Sequence, residues 1–309
     1  MKFLFNIFLL IFSISIALSA QDSSHYTRER LKGRFGEAVR LPGHFFRLAV
    51  LKIKAYEFEE ISYGVHKRQY MLVCRPQDST WKTNDVIFFF HGGGWRTGSP
   101  EQNRFLAAML ASYGYTVVMP AYRLSPKFCY EDMQADIDSA IIHGIKICDI
   151  SPGSNKKIII GGTSAGGHLA ALLAYDNNRL LNLGIEPHLL KGYFSIASPL
   201  DLDLMPKSKL VSTYAGEPES VTFQLANPKH LIDERDRFPA LFLHGMQDGI
   251  VDYRGTLAFV DLLECKGICP SLKLLTEQTH LETTTRWYYK EKADIGQGEM
   301  LLIWLMGLE

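Results

Sequence analysis

From residue 70 onward, short runs of β-branched and aromatic residues recur at intervals, with longer helix-like segments between them. The runs read YMLVC (70–74), DVIFFF (85–90), YTVVM (115–119), KIIIG (157–161), GYFSIA (192–197), ALFLHG (240–245) and SLKLLT (271–276). Helical candidates span 101–112, 131–147, 165–175, 253–265 and 298–307. Alternation of this kind predicts an α/β fold, a mostly parallel central sheet flanked by helices. Several runs are apolar without interruption, as strands covered on both faces are. KAYEFEEISYG (54–64) alternates and predicts an edge strand paired with 70–74. Residues 21–53, and residues 201–238 after the sixth strand, fall outside the alternation. Both are expected as additions near the C-terminal edge of the sheet, where such folds bind ligands.

The composition, 47% apolar and 21% charged over 309 residues, suits a globular chain with a large core. The formal net charge is zero and no polybasic tract occurs, which argues against nucleic acid as a partner. MKFLFNIFLLIFSISIALSA (1–20) differs from the rest: a lysine at position 2, an apolar stretch to Leu18, then small residues at Ser19 and Ala20. That layout predicts a cleaved signal peptide, and hence an exported chain (secreted, periplasmic or in the secretory-pathway lumen). Left uncleaved, the segment would be an anchor, though about 16 diluted apolar residues are short for a span. In 21–53 basic residues (Arg28, Arg30, Lys32, Arg34, Arg40, Arg47) interleave with apolar ones (Phe35, Val39, Phe45, Phe46, Leu48). An amphipathic helix there would either cap the ligand edge of the sheet or make a weak contact with an anionic membrane surface.

The odd cysteine count (Cys74, Cys129, Cys148, Cys265, Cys269) leaves at least one thiol unpaired. Cys265 and Cys269 are close enough in sequence to pair across a helix end, or to serve as small buried hydrophobes. There is no N-glycosylation sequon, no HExxH and no zinc-like His/Cys spacing, so neither metal nor organic cofactor is expected.

The chemistry gathers around GGTSAGGHLA (161–170), which follows the isoleucine run. One serine among four glycines, between a strand and a helix, predicts an elbow that holds the Ser164 hydroxyl out for attack. Upstream, FFFHGGGWRTG ends another strand. Successive glycines let backbone N–H groups face a cavity, and a tetrahedral acyl intermediate needs such donors for its oxyanion. Gly93, Gly94 and Ala165 are the candidates; a phosphate loop is disfavoured because no Walker lysine follows. A serine also needs a base, and in this fold class the order is Ser, acid, His. Asp248 in LFLHGMQDGIVDY and His280 in LLTEQTHLET each lie just past a strand end. Asp252 competes for the acid role, and His244 and His230 for the base. His168, four residues into the helix after Ser164, is expected to pack, and His91 to brace the glycine loop. Arg123 and Asp136 form a candidate ion pair beneath that loop, buried or solvated.

Together HGGGW, YRLSP, GTSAGGHLA, HGMQD and QTH resemble the α/β-hydrolase fold in its hormone-sensitive-lipase-like branch. The nearest resemblance is to small serine esterases that include arylformamidase-like and isoprenylcysteine-methylesterase-like enzymes. It covers roughly residues 54–308. It implies a serine carboxylesterase, lipase-like in fold, with Ser164 as nucleophile, His280 as base, Asp248 as acid and Gly93, Gly94 and Ala165 as oxyanion donors. The implied substrate is a small-molecule ester, with formamide or peptide hydrolysis as alternatives on the same residues and a non-catalytic binding module as a remoter one. The expected organisation is a signal peptide (1–20), an N-terminal cap segment (21–53) and a catalytic domain (54–309), with a second cap element after strand six.

Overall fold

The computed structural model describes residues 56–77, 83–205, 208–285 and 296–308. The expected signal peptide (1–20) and N-terminal segment (21–53) lie outside the described residues. The strands are β1 (Glu59–Ser62), β2 (Tyr70–Cys74), β3 (Val86–Phe90), β4 (Thr116–Pro120), β5 (Ile158–Thr163), β6 (Leu190–Ile196), β7 (Ala240–Gly245) and β8 (Ser271–Leu275). Among the described residues they form one eight-stranded sheet in the order β1-β2-β4-β3-β5-β6-β7-β8. β1 pairs antiparallel with β2, and β2 with β4; from β4 through β8 every pairing is parallel.

The uninterrupted apolar runs acquire two faces in the sheet. Phe88, Phe90, Ile158, Ile160 and Phe242 point to one side, against Ile137, Leu169 and Phe259. Ile87, Phe89, Ile159, Phe194 and Leu243 point to the other, against Leu106, Leu110, Leu301 and Leu305. Successive strand residues alternate faces, so a strand covered on both sides reads as a nearly continuous apolar run. The covering helices are α1 (Arg104–Ser112), α2 (Tyr130–Ile147), α3 (Ala165–Ala174), α4 (Asn177–Asn182), α5 (Lys209–Ala215), α6 (Val221–Leu225), α7 (Tyr253–Cys265), α8 (His280–Thr285) and α9 (Gln297–Met306).

The stretch 201–238 is built from α5, α6 and two short 3₁₀ turns, Leu202–Leu204 and Pro228–Leu231. Ser220 caps α6 by accepting the amide of Phe223 at 3.1 Å. Each helix buries one side through Val211, Tyr214 and Phe223. The Leu210 side chain rests against Gly94, so this insertion lies over the glycine loop as a cap element. Among the described residues no helix is long and apolar enough to cross a membrane.

The cysteine expectation needs correction. All five thiols are free, and both Cys265 and Cys269 are exposed, so these two neither pair nor pack as small hydrophobes. α7 ends in a turn through Gly267, whose φ is 74°, and the Ile268 N–H closes it by donating a hydrogen bond to Leu263 O at 3.0 Å. That turn buries Ile268 and leaves the flanking thiols in solvent. Cys74 and Cys148 are buried.

Candidate active site

The parallel register sets β3 beside β5, with Phe90 opposite Gly162, so the HGGG loop and the serine turn leave the sheet side by side. Ser164 sits between β5 and α3 with φ 51° and ψ −125°. A side-chain-bearing residue held at such a φ stores roughly 1–3 kcal/mol of strain, which the surroundings must overcome. Here they do so through the Ser164 amide, which donates to Ile196 O at 2.8 Å. Gly166 is required by proximity: a β-carbon there would run into the carbonyls of Phe90 and His91. The glycines flanking the serine therefore let the first turn of α3 press against the end of β3.

His280 opens α8 just beyond β8, and Asp248 lies in the loop after β7. Ser164 Oγ is 2.9 Å from His280 Nε2, and His280 Nδ1 is 2.7 Å from Asp248 Oδ2. With a carboxylate as its partner, Nδ1 carries the hydrogen, which leaves Nε2 to accept from the serine hydroxyl. The other oxygen, Asp248 Oδ1, accepts the amides of Ile250 at 2.8 Å and Val251 at 2.7 Å. Burial alone would raise the pKa of Asp248; the charge of His280 and hydrogen bonds from His244 and His280 outweigh it and hold the carboxyl well below the usual range.

His244 is not at the serine. It lies behind Asp248, where Nε2 donates to Asp248 Oδ2 at 3.1 Å and Nδ1 accepts from Thr256 Oγ1 at 2.7 Å. His230 is exposed and bonds to Gln224 O at 3.1 Å. Asp252 caps α7 and accepts from Arg254 Nη2 at 2.5 Å, while the imidazole of His280 is held by Asp248. His168 is buried, donates from Nε2 to Ala226 O at 2.8 Å and stands edge-on to Trp95. Burial pulls its pKa down to about 3. It is thus a packing residue that ties α3 to the cap.

The glycine loop turns through Gly93 at φ 125° and Gly94 at φ 58°, values that L side chains rarely adopt. Among the described residues no acceptor takes the amide of Gly93, Gly94 or Ala165. His91 braces the loop as expected: Nδ1 is 2.7 Å from Gly92 O, and the ring stacks on Tyr122 with centroids 4.2 Å apart. Burial lowers its pKa to about 3. Asp136 is fully buried and takes Arg123 Nε at 2.9 Å, so this ion pair is structural rather than solvated.

No pattern along the chain points to Arg68, in the turn between β1 and β2, whose Nε donates to Tyr122 O at 2.7 Å. Nor does any reveal the partnership of Thr256 and His244 or the stacking of Tyr214 on Trp95. Among the described residues no group of three His, Cys, Asp or Glu is placed to hold a metal ion.

Residues 72–263, more than half of the chain, match the BD-FAE family. The chain belongs to the BD-FAE family. This member has the α/β-hydrolase fold, and its relatives include hydrolases of esters and of a formamide. It is 27% identical to kynurenine formamidase of Danio rerio over 54% of this chain and 53% of the relative. It is 28% identical to "Probable carboxylic ester hydrolase LipM" of Mycobacterium tuberculosis over 74% of this chain and 56% of the relative. The chain thus spans little more than half the length of these two curated relatives. Among solved structures, esterase B of Lactobacillus rhamnosis superposes with a TM-score of 0.69 at 19% identity, covering 91% of this chain and 94% of that one. At that identity the likeness speaks to the fold.

Proposed function

We propose that this BD-FAE family member is a serine carboxylesterase that works through an acyl-enzyme on Ser164. The observation that carries this is the unbroken hydrogen-bonded line from Ser164 Oγ through His280, at 2.9 Å, to Asp248, at 2.7 Å. Ser164 Oγ attacks the ester carbonyl carbon while its proton passes to His280 Nε2, and Asp248 stabilises the imidazolium that results. The tetrahedral oxyanion takes hydrogen bonds from the amides of Gly93, Gly94 and Ala165. As the intermediate collapses, the ester C–O bond breaks and the leaving alkoxide takes the proton from His280. Water then attacks the acyl carbon with His280 again as base, and the acid leaves while the serine regains its proton.

Formamide hydrolysis is the second reading, favoured by the likeness to kynurenine formamidase. The same residues serve it, with an amine in place of the alcohol. A panel of p-nitrophenyl esters of increasing chain length, beside a formanilide and a peptide anilide, separates the activities. Turnover of the esters that vanishes in Ser164→Ala supports the esterase; turnover of the formanilide alone transfers the function to formamides. We also place the mature chain in an exported compartment, on the strength of residues 1–20. N-terminal sequencing of the expressed protein that begins near residue 21 supports export, and retention of the whole segment sinks it.

A further inference from the structure

One guanidinium reaches several points of the glycine loop and its support. Arg68 Nε donates to Tyr122 O at 2.7 Å, Nη2 donates to Gly98 O at 2.8 Å, and Nη2 stands 3.4 Å from His91 Nε2. A guanidinium has only hydrogens to offer and keeps its charge, so His91 Nε2 must accept. Nδ1 then carries the imidazole hydrogen and donates it to Gly92 O at 2.7 Å. This is the single neutral tautomer that satisfies both contacts, and burial together with the nearby charge of Arg68 keeps the ring neutral.

The Gly92 carbonyl and the Gly93 amide belong to one planar trans peptide, in which C=O and N–H point in opposite directions. Holding the carbonyl on His91 therefore aims the Gly93 N–H away from His91. We propose that Arg68, acting through His91, orients and polarises the Gly92–Gly93 peptide and so is a positioning residue for the oxyanion. This rests on the acyl-transfer function proposed above. The hydrogen bonds all run in one sense, from Arg68 to His91 to the Gly92 carbonyl and then from the Gly93 N–H to the oxyanion, and aligned bonds strengthen one another. Gly98 adds to the restraint. A β-carbon there would strike the Gly92 carbonyl, so the two ends of the loop touch, and Arg68 holds Gly98 as well. Among the described residues no carboxylate forms an ion pair with Arg68. Its charge is directed at carbonyls and at His91.

Arg68→Met, Arg68→Lys, His91→Asn and the Arg68→Met/His91→Asn pair test this on a soluble ester, with circular dichroism to check the fold. Arg68→Met is expected to lower kcat about 10- to 50-fold with KM within about twofold, less than the roughly 100- to 1,000-fold cost of losing an oxyanion donor outright. Lysine, which keeps the charge but not the fork, should recover only part of the loss. The double variant should lose far less than the product of the two single losses, because Arg68 acts mainly through His91 and only its hold on Gly98 is separate. A folded Arg68→Met with wild-type kcat, or losses that multiply in the double variant, overturns the proposal. Nitrogen-15 spectra of histidine-labelled wild type supply an arm that needs no variant to fold. The Nδ1-protonated form at His91 is expected, and the Nε2-protonated form overturns the relay. A wild type that turns over no ester refutes the esterase instead, and the tautomer still decides the relay.

Discussion

Tyr214 lies flat on Trp95, with ring centroids 4.6 Å apart and planes 3° from parallel. The contact joins the cap insertion to the loop that carries Gly93 and Gly94, and both rings are buried. Tyr214→Ala should therefore cost about 3–5 kcal/mol of stability, as for other large aromatic truncations. Tyr214→Phe keeps the stack and loses a hydroxyl that accepts from Gln134 at 3.3 Å, so it should cost about 1 kcal/mol. Urea unfolding of the two variants checks the contrast; equal losses would show that the hydroxyl, not the stack, matters.

Asp248 and Asp252 are separated by one turn of loop but serve different partners. Asp248→Asn should lower kcat about 10,000-fold, because an amide favours the wrong imidazole tautomer of His280. Asp252→Asn should leave kcat nearly intact and cost about 1 kcal/mol or less, since asparagine also caps helices well. Steady-state kinetics on one ester separates them, and a larger kinetic loss at Asp252 would move the acid role there.

His244 supplies a hydrogen bond to the same carboxylate oxygen that holds His280. His244→Phe should lower kcat roughly tenfold or somewhat more, the scale of one hydrogen bond to a charged group. The pKa of Asp248 is depressed, so this carboxylate takes up no proton in the mildly acidic range. The acid limb of kcat/KM in the wild type should then follow a single proton. A limb needing two protons above pH 4 would contradict the depressed Asp248.

His91 and His168 are held neutral by burial, each drawn from 6.5 down to about 3. Between those values the unfolded chain binds their protons and the native chain does not, so stability is lost on acidification. Each histidine contributes a slope of up to about 1.4 kcal/mol per pH unit across that window. Asp248 acts later: its stabilisation is present above about pH 4 and goes as the pH falls toward its depressed folded value. Melting temperature should drop steadily from pH 6 to pH 4, and His168→Gln should flatten the drop. A melting temperature constant over that range would mean that the rings are protonated in place.

What was legible in the chain was what burial writes into it. Parallel strands covered on both faces leave long apolar runs, which is why β7 is legible from end to end, and the helical spacing of Phe259, Val260 and Leu263 does the same for α7. The serine elbow was legible because close approach to β3 demands glycine at position 166. The cap was not, beyond its place, because α5 and α6 are short helices with little apolar periodicity. Arg68 was invisible for a different reason. An arginine in a polar turn carries no pattern, and its partners His91, Gly98 and Tyr122 stand 23 to 54 residues away along the chain. His244 was visible as a histidine but not as a neighbour of Thr256, since only the packing of α7 on β7 brings them together.

The position of β8 at the outer edge of the sheet has a consequence in time. The serine turn can close once β3, β5 and α3 have met, but His280 arrives only when β8 adds to β7, and it reaches Ser164 across 116 residues. Contacts that distant in sequence form slowly, and chains of this size commonly pass through partly assembled states. A refolding molecule would therefore carry a serine without its base until the edge strand docks. Turnover would return after the helical signal has recovered, and the lag would measure the docking of one strand.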